Sequence, residues 1–98
     1  MIYLTQLIYL QPDGEEDFLA FEAVALPAMK KYGGDLLLRL RPNQDTMIEG
    51  SMEAPYEVHL ISFEDMAAVE SFLQDEDRKH VLHLKEKSVK TSILYKMV

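Results

Sequence analysis

Residues 2–11, IYLTQLIYLQ, alternate with a period of two and are apolar on both sides. Ile2, Leu4, Ile8 and Leu10 share one face with Gln6; Tyr3, Leu7 and Tyr9 share the other with Thr5. A strand apolar on both faces must be covered on both. That requirement leaves the chain few folds to choose from. With 98 residues, it buries only roughly 60–65% of the surface its unfolded form exposes, so cover for a second face is scarce.

The rest of the pattern supplies one layer of helices. Pro12-Asp13-Gly14 ends the first strand, and Asp13, three residues before Glu16, has the spacing of a helix N-cap. A first helix then runs to about Tyr32, with Phe18, Phe21, Ala25, Met29 and Tyr32 as its buried stripe. Pro27 inside it removes a hydrogen bond and predicts a kink, and Gly33-Gly34 supplies a left-handed stop. Residues 35–41 read as a second strand and 56–63 as a third. The irregular stretch 42–54 between them has room for a short extra strand at Thr46-Met47-Ile48. Ser62 is expected to cap a second helix over about 63–74, with Met66, Val69, Phe72 and Leu73 buried. Asp75 is expected to cap a further helical segment to about Lys87, and 90–97 is a fourth strand.

The order β-α-β-β-α-β predicts a ferredoxin-like α+β fold: a four-stranded antiparallel sheet with its helices on one face, in a single domain spanning 1–98. Leu4, Ile8, Leu36, Leu38, Leu40, Val58 and Leu60 are assigned to the helix-covered face. Tyr3, Leu7, Tyr9, Leu37, Ile61, Phe63, Ile93, Tyr95 and Met97 are assigned to the bare face. A bare face so apolar is expected to be covered by the same face of a second copy about a two-fold axis.

The strand–helix–strand unit with Pro27 and Gly33-Gly34, then Glu49-Gly50, then a strand ending at Phe63 before a helix with Ala67 and Ala68, resembles the dimeric α/β-barrel superfamily. Within it the chain is most similar to a small bacterial family of unknown function. The resemblance covers nearly the whole chain and implies a homodimer whose two sheets close a barrel. Relatives of this fold include antibiotic-biosynthesis and other cofactor-free monooxygenases, muconolactone isomerase and haem-dependent enzymes, so fold alone leaves the activity open.

Charge narrows the partners. Ten basic and 17 acidic residues give a net charge of -7, which disfavours nucleic acid and anionic lipid. No apolar run approaches the ~20 residues of a membrane span. The absence of cysteine excludes disulfides and thiol catalysis and fits a cytoplasmic location.

His59, mid-strand, is the first catalytic candidate, because imidazole titrates near physiological pH. An interface hydrogen bond is the commoner role for such a residue. Arg39 and Glu57 share its face. The arginine could hold a carboxylate substrate, or the two could simply form a cross-strand ion pair. Tyr3 and Tyr95 could steer a ligand from the same face, as could any interface tyrosine. Gln6 and Glu22 could line a pocket between helix and sheet. Asp77, His80 and His83 recur every three residues, with Glu76 beside them. That is a loose metal spacing, more readily read as an exposed helix face, and no metal or cofactor is assigned. The expected function is binding of a small organic molecule by a homodimer, with cofactor-independent oxygenase or isomerase-type chemistry. The alternative is a non-catalytic dimer whose polar residues set interface geometry.

Overall fold

The computed structural model describes residues 1–97. Four strands, β1 (Ile2–Leu10), β2 (Asp35–Leu40), β3 (Glu57–Phe63) and β4 (Val89–Met97), form one antiparallel sheet in the order β2-β3-β1-β4. The helices are α1 (Glu15–Met29), α2 (Met66–Leu73), α3 (Glu76–His80) and α4 (Leu82–Ser88). This is the expected ferredoxin-like α+β architecture. No helix among the described residues is long and apolar enough to cross a membrane.

Local chemistry explains most boundaries. Asp13 adopts a left-handed turn conformation (φ 62°) rather than capping, and Gly14 takes the N-cap position without a side-chain bond. A Cβ on Gly14 would lie 2.7 Å from the Ser88 carbonyl oxygen, so glycine is required where α1 starts against the end of α4. Pro27 stands inside α1, and after Met29 the chain tightens into a 3-10 turn, Lys30–Tyr32. Gly33, at φ 76°, then ends it. Strand β3 keeps Ser62, and Asp65 caps α2 instead, accepting from the Ala68 N–H at 2.9 Å. Asp75 caps α3 as expected, accepting from the Arg78 N–H at 3.0 Å. The segment after it is not one helix but two, broken at Val81. Residues Gln44–Thr46 form a 3-10 turn, and no strand forms over 46–48.

The faces of the sheet differ from the expected ones, and register is the reason. On the helix side the rows Arg39–His59–Gln6–Leu94 and Leu36–Ile61–Leu4–Lys96 cross the four strands. On the open side lie Leu40–Val58–Leu7–Ile93 and Leu38–Leu60–Thr5–Tyr95. Ile61 and Phe63 therefore belong to the core with Leu4, Met29 and Val69. Val58, Leu60, Leu38 and Leu40 belong to the open face. Strand β2 changes phase because the pairing slips between Leu36 and Leu38, leaving Leu37 as an extra residue in a bulge. In the helices, Met66 and Leu73 are exposed, while Glu22 occupies a buried position of the α1 stripe.

Candidate functional site

Because His59 faces α1 and not the open side of the sheet, it meets a residue of that helix. Glu22 projects from α1 at the stripe position between Phe18 and Ala25, and is 4% exposed. His59 Nε2 stands 3.0 Å from Glu22 Oε2 and hydrogen-bonds to Glu57 Oε2. Glu57 is fully buried. Its Oε1 accepts from Arg41 Nε at 3.1 Å, and its Oε2 forms an ion pair with Arg39, 3.1 Å from Nε. Arg39 Nη2 donates to Glu22 Oε1 at 2.9 Å. The Arg39–Glu57 ion pair thus forms, within a larger network that also takes in Arg41, Glu22 and His59.

Proton positions follow from this geometry. A carboxylate held by Arg39 and Arg41 can only accept, so His59 must carry a proton on Nε2. That proton points to Glu57, and Glu22 Oε2 is left buried without a hydrogen bond despite the imidazole 3.0 Å away. A proton on Glu22 resolves the shortage by converting that oxygen into a donor toward Glu57. Burial raises the Glu22 pKa above 4.5, and the neighbouring Glu57 raises it further, against the pull of His59 and Arg39. Burial also acts to raise Glu57. It is outweighed by bonds from Glu22, His59, Arg39 and Arg41, which bring that carboxyl down to about 2. His59 loses basicity by burial but gains more from Glu22 and Glu57, so its pKa lies above 6.5. Two carboxyls in one pocket therefore have their pKa values pushed in opposite directions.

A cavity of about 320 Å³ opens between α1, the sheet and the later helices. Its wall is mainly aliphatic and aromatic, with Glu22, His59 and Gln6 exposed in it. Gln6 donates to Ser92 Oγ at 3.0 Å, which orients its amide along the wall. Arg39 and Glu57 do not reach the wall and act behind it. Tyr3 and Tyr95 lie on the opposite, open face, on the far side of the sheet from the expected catalytic group. The structure does not bring them together with His59.

Oxygens and nitrogen of Glu22, Glu57 and His59 lie within 4.8 Å of one another, the composition of a metal site. The charge balance does not fit one. Arg39 and Arg41 already neutralise the carboxylates at 2.9–3.1 Å, and a divalent cation there would sit against two guanidiniums. His80 and His83 are exposed on separate short helices, and Asp77 pairs with Lys31 at 2.7 Å instead. Three polar residues went unassigned from sequence. Arg41 follows Arg39 at the period-two spacing that marks one strand face. Arg78 and Lys85, seven residues apart, also line the cavity. A basic pair two helical turns apart, flanked by Leu82 and Leu84, was the available signal.

With that geometry in view, comparison with known proteins is informative about fold. The sequence model for a domain of unknown function, DUF1330, matches residues 7–95. No curated protein matches the chain. A protein of unknown function from Rhodopseudomonas palustris superposes with a TM-score of 0.85 at 20% identity, over 98% of this chain and 79% of that one. An antibiotic biosynthesis monooxygenase superposes at 0.70 with 13% identity, over 100% and 97% of the two chains. A dimeric ferredoxin-like protein of unknown function from Jannaschia sp. CCS1 superposes at 0.72 with 12% identity, over 99% and 97%. At these identities the likeness establishes the ferredoxin-like fold.

Proposed function

The chain belongs to the DUF1330 family, a domain of unknown function, and we propose that it acts as a homodimer whose helix–sheet cavity binds a small, largely apolar organic molecule and exchanges a proton with it through Glu22. The observation that carries this reading is the apolar cavity of about 320 Å³ with Glu22 and His59 in its wall. That volume is in the range of small-molecule sites, roughly 300–1,000 Å³. A carboxyl with a raised pKa, backed by an oriented imidazole, is suited to general acid–base work.

In this reading, ionised Glu22 takes a proton from a carbon next to a carbonyl. The C–H bond breaks, an O–H bond forms on Glu22, and the electron pair moves into an enolate. Where a carbon–carbon double bond adjoins that carbon, the pair is shared with its far end; return of the proton there moves the double bond into conjugation with the carbonyl and completes an isomerisation with no co-reactant. Arg39 and protonated His59 offset the charge on Glu22 while it is ionised. Glu57, held by Arg41 and Arg39, is a positioning residue that keeps the His59 ring oriented with Nε2–H toward the carboxyls.

The second copy is expected to cover the open sheet face. Tyr3, Leu38, Leu40, Tyr95 and Met97 are each 40–54% exposed there, around half-buried Leu7, Val58, Leu60 and Ile93. A stable interface covers about 800 Å² per partner, and a structural neighbour of the same fold is described as dimeric.

Phenylacetone in D2O tests the cavity and the proton transfer together. Binding should shift the NMR signals of Leu4, Ile8 and Ile61 methyls, and the ligand's CH2 signal should fade faster with the wild type than with Glu22→Gln. Binding with equal fading in both proteins would leave a non-catalytic binding dimer. No methyl shift at millimolar ligand would remove the cavity reading.

A further inference from the structure

Which molecules the cavity accepts is decided by groups outside the Glu22–His59 network. Ten basic residues stand in the chain. Lys31, Arg39, Arg41, Lys87 and Lys90 have carboxylate partners. Lys30, Lys79 and Lys96 have none among the described residues but are exposed to water. Among the described residues, only Arg78 and Lys85 are both withdrawn from water and without a carboxylate partner, and both line the cavity. The other unpaired cations are solvated, so in a chain with 17 acidic residues it is burial without an anion that sets these two apart.

Arg78 is 8% exposed. Its guanidinium lies over the rings of Phe21 and Phe72, 5.7 and 5.4 Å from their centroids, and Nη1 donates to the Leu73 carbonyl oxygen at 3.3 Å. The rings hold the plane of the guanidinium, and that carbonyl is its one side-chain hydrogen-bond partner among the described residues. Asp75 on the preceding turn is committed to the α3 cap, Tyr32 and Lys31. Lys85 is half-buried on α4, and burial together with the nearby Arg78 lowers its pKa. Burying two like charges at one wall costs stability unless an anion joins them.

We propose that the ligand is an amphipathic organic anion, a small carboxylic acid with an apolar body, whose carboxylate sits between Arg78 and Lys85. This rests on the cavity reading above and adds the chemical class. A planar, ring-stacked guanidinium matches a carboxylate in two-point geometry, and a lysine adds a second charge. The apolar wall takes the body, which brings a carbon of the ligand toward Glu22 and His59.

Phenylacetate and phenylacetamide have the same shape and differ in charge. Titrating each into the wild-type protein at pH 7, by calorimetry or by the methyl shifts of Leu4 and Ile61, should show the acid binding about tenfold tighter or more, as expected for a charge-assisted bond. Arg78→Met and Lys85→Met keep the alkyl packing and should each reduce that preference, weakening the acid more than the amide. Equal binding of acid and amide by the wild type overturns the anion proposal and leaves the cavity reading standing. Preference for the acid that persists in both variants also overturns it, because the charge would then be recognised elsewhere. Binding of neither compound overturns both readings. Should Arg78→Met fail to fold, Lys85→Met and the wild-type comparison decide.

Discussion

Glu22 and Glu57 invite a paired substitution, Glu→Gln at each position in turn. The two are chemically the same, both buried, and separated by a few ångströms, yet their expected costs differ several-fold. Glu57→Gln would remove an anion that accepts from Arg41 and His59 and pairs with Arg39, and would place an NH2 group among donors. Breaking a buried pair costs about 3–5 kcal/mol when the abandoned charge stays buried. The side chains of Arg39 and Arg41 are 37% and 47% exposed and can turn to water, so about 3 kcal/mol is expected. For a domain of this size that lowers the melting temperature on the order of 15 °C. Glu22→Gln, by contrast, imitates the neutral acid: the new amide carbonyl accepts from Arg39 and its NH2 donates to Glu57. Its cost at pH 5 should stay under about 1 kcal/mol. The pH dependence sharpens the contrast. Glu22 has a folded pKa raised above 4.5, so its stabilisation is present below 4.5 and lost as pH rises through the raised value. An amide cannot lose it, and the Glu22→Gln variant gains on the wild type as pH rises. Glu57 is lowered to about 2, so its stabilisation is present above 4.5 and lost as pH falls toward 2, and the penalty of Glu57→Gln shrinks in acid. Urea unfolding followed by circular dichroism from pH 3 to pH 8 measures both. Equal penalties at pH 5, or a Glu22→Gln variant that loses ground as pH rises, would refute the assignment of the proton to Glu22.

Light scattering on the wild type at micromolar concentration should give twice the chain's 11.3 kDa. Leu7→Asp should give a folded monomer, whereas Ile61→Asp should unfold, since Ile61 is core and 6% exposed. Asp75 is held at about 2 by the Arg78 N–H, Tyr32 and Lys31. Its contribution is present above 3.8 and lost as pH falls toward 2, so α3 amides should lose exchange protection over that range, and Asp75→Ala should show the same loss at neutral pH.

Element order was legible because each helix and strand carries its own period and most stops are glycine, proline or capping carboxylates. Sheet faces were not. Alternation tells which residues of one strand share a side, for example Glu57, His59, Ile61 and Phe63. It does not tell which side of the neighbouring strand they join. Leu4 pairs with Ile61 only through the β1–β3 register, and with α1 and β2 between those strands in the chain, core packing, not a turn, sets it. Aliphatic residues were grouped with aliphatic ones, which put His59 on the wrong side. Glu22 was visible as a charge inside an apolar stripe, and Gln6 as an amide among aliphatics. That Glu22, Gln6 and His59 meet, and that Tyr3 and Tyr95 do not join them, follows from the same register. The break at Val81 has no proline or glycine to announce it.

The bulge at Leu37 has a consequence for how the protein can change over generations. Upstream of it, Leu36 lies on the helix side; downstream, Arg39 returns to that side only because Leu37 stands outside the pairing. Were Leu37 drawn into regular pairing at unchanged length, the downstream part of β2 would turn over. Arg39 would then point outward among the apolar rows, and Leu38 and Leu40 would point toward Glu22 and Glu57. Ligand chemistry and self-assembly would be damaged by the same slip, although no residue of either had been substituted. Loss of Leu37 itself would leave a regular strand with Leu38, Arg39 and Leu40 on their present faces, so natural variants of β2 that change length are expected to change it at the bulge.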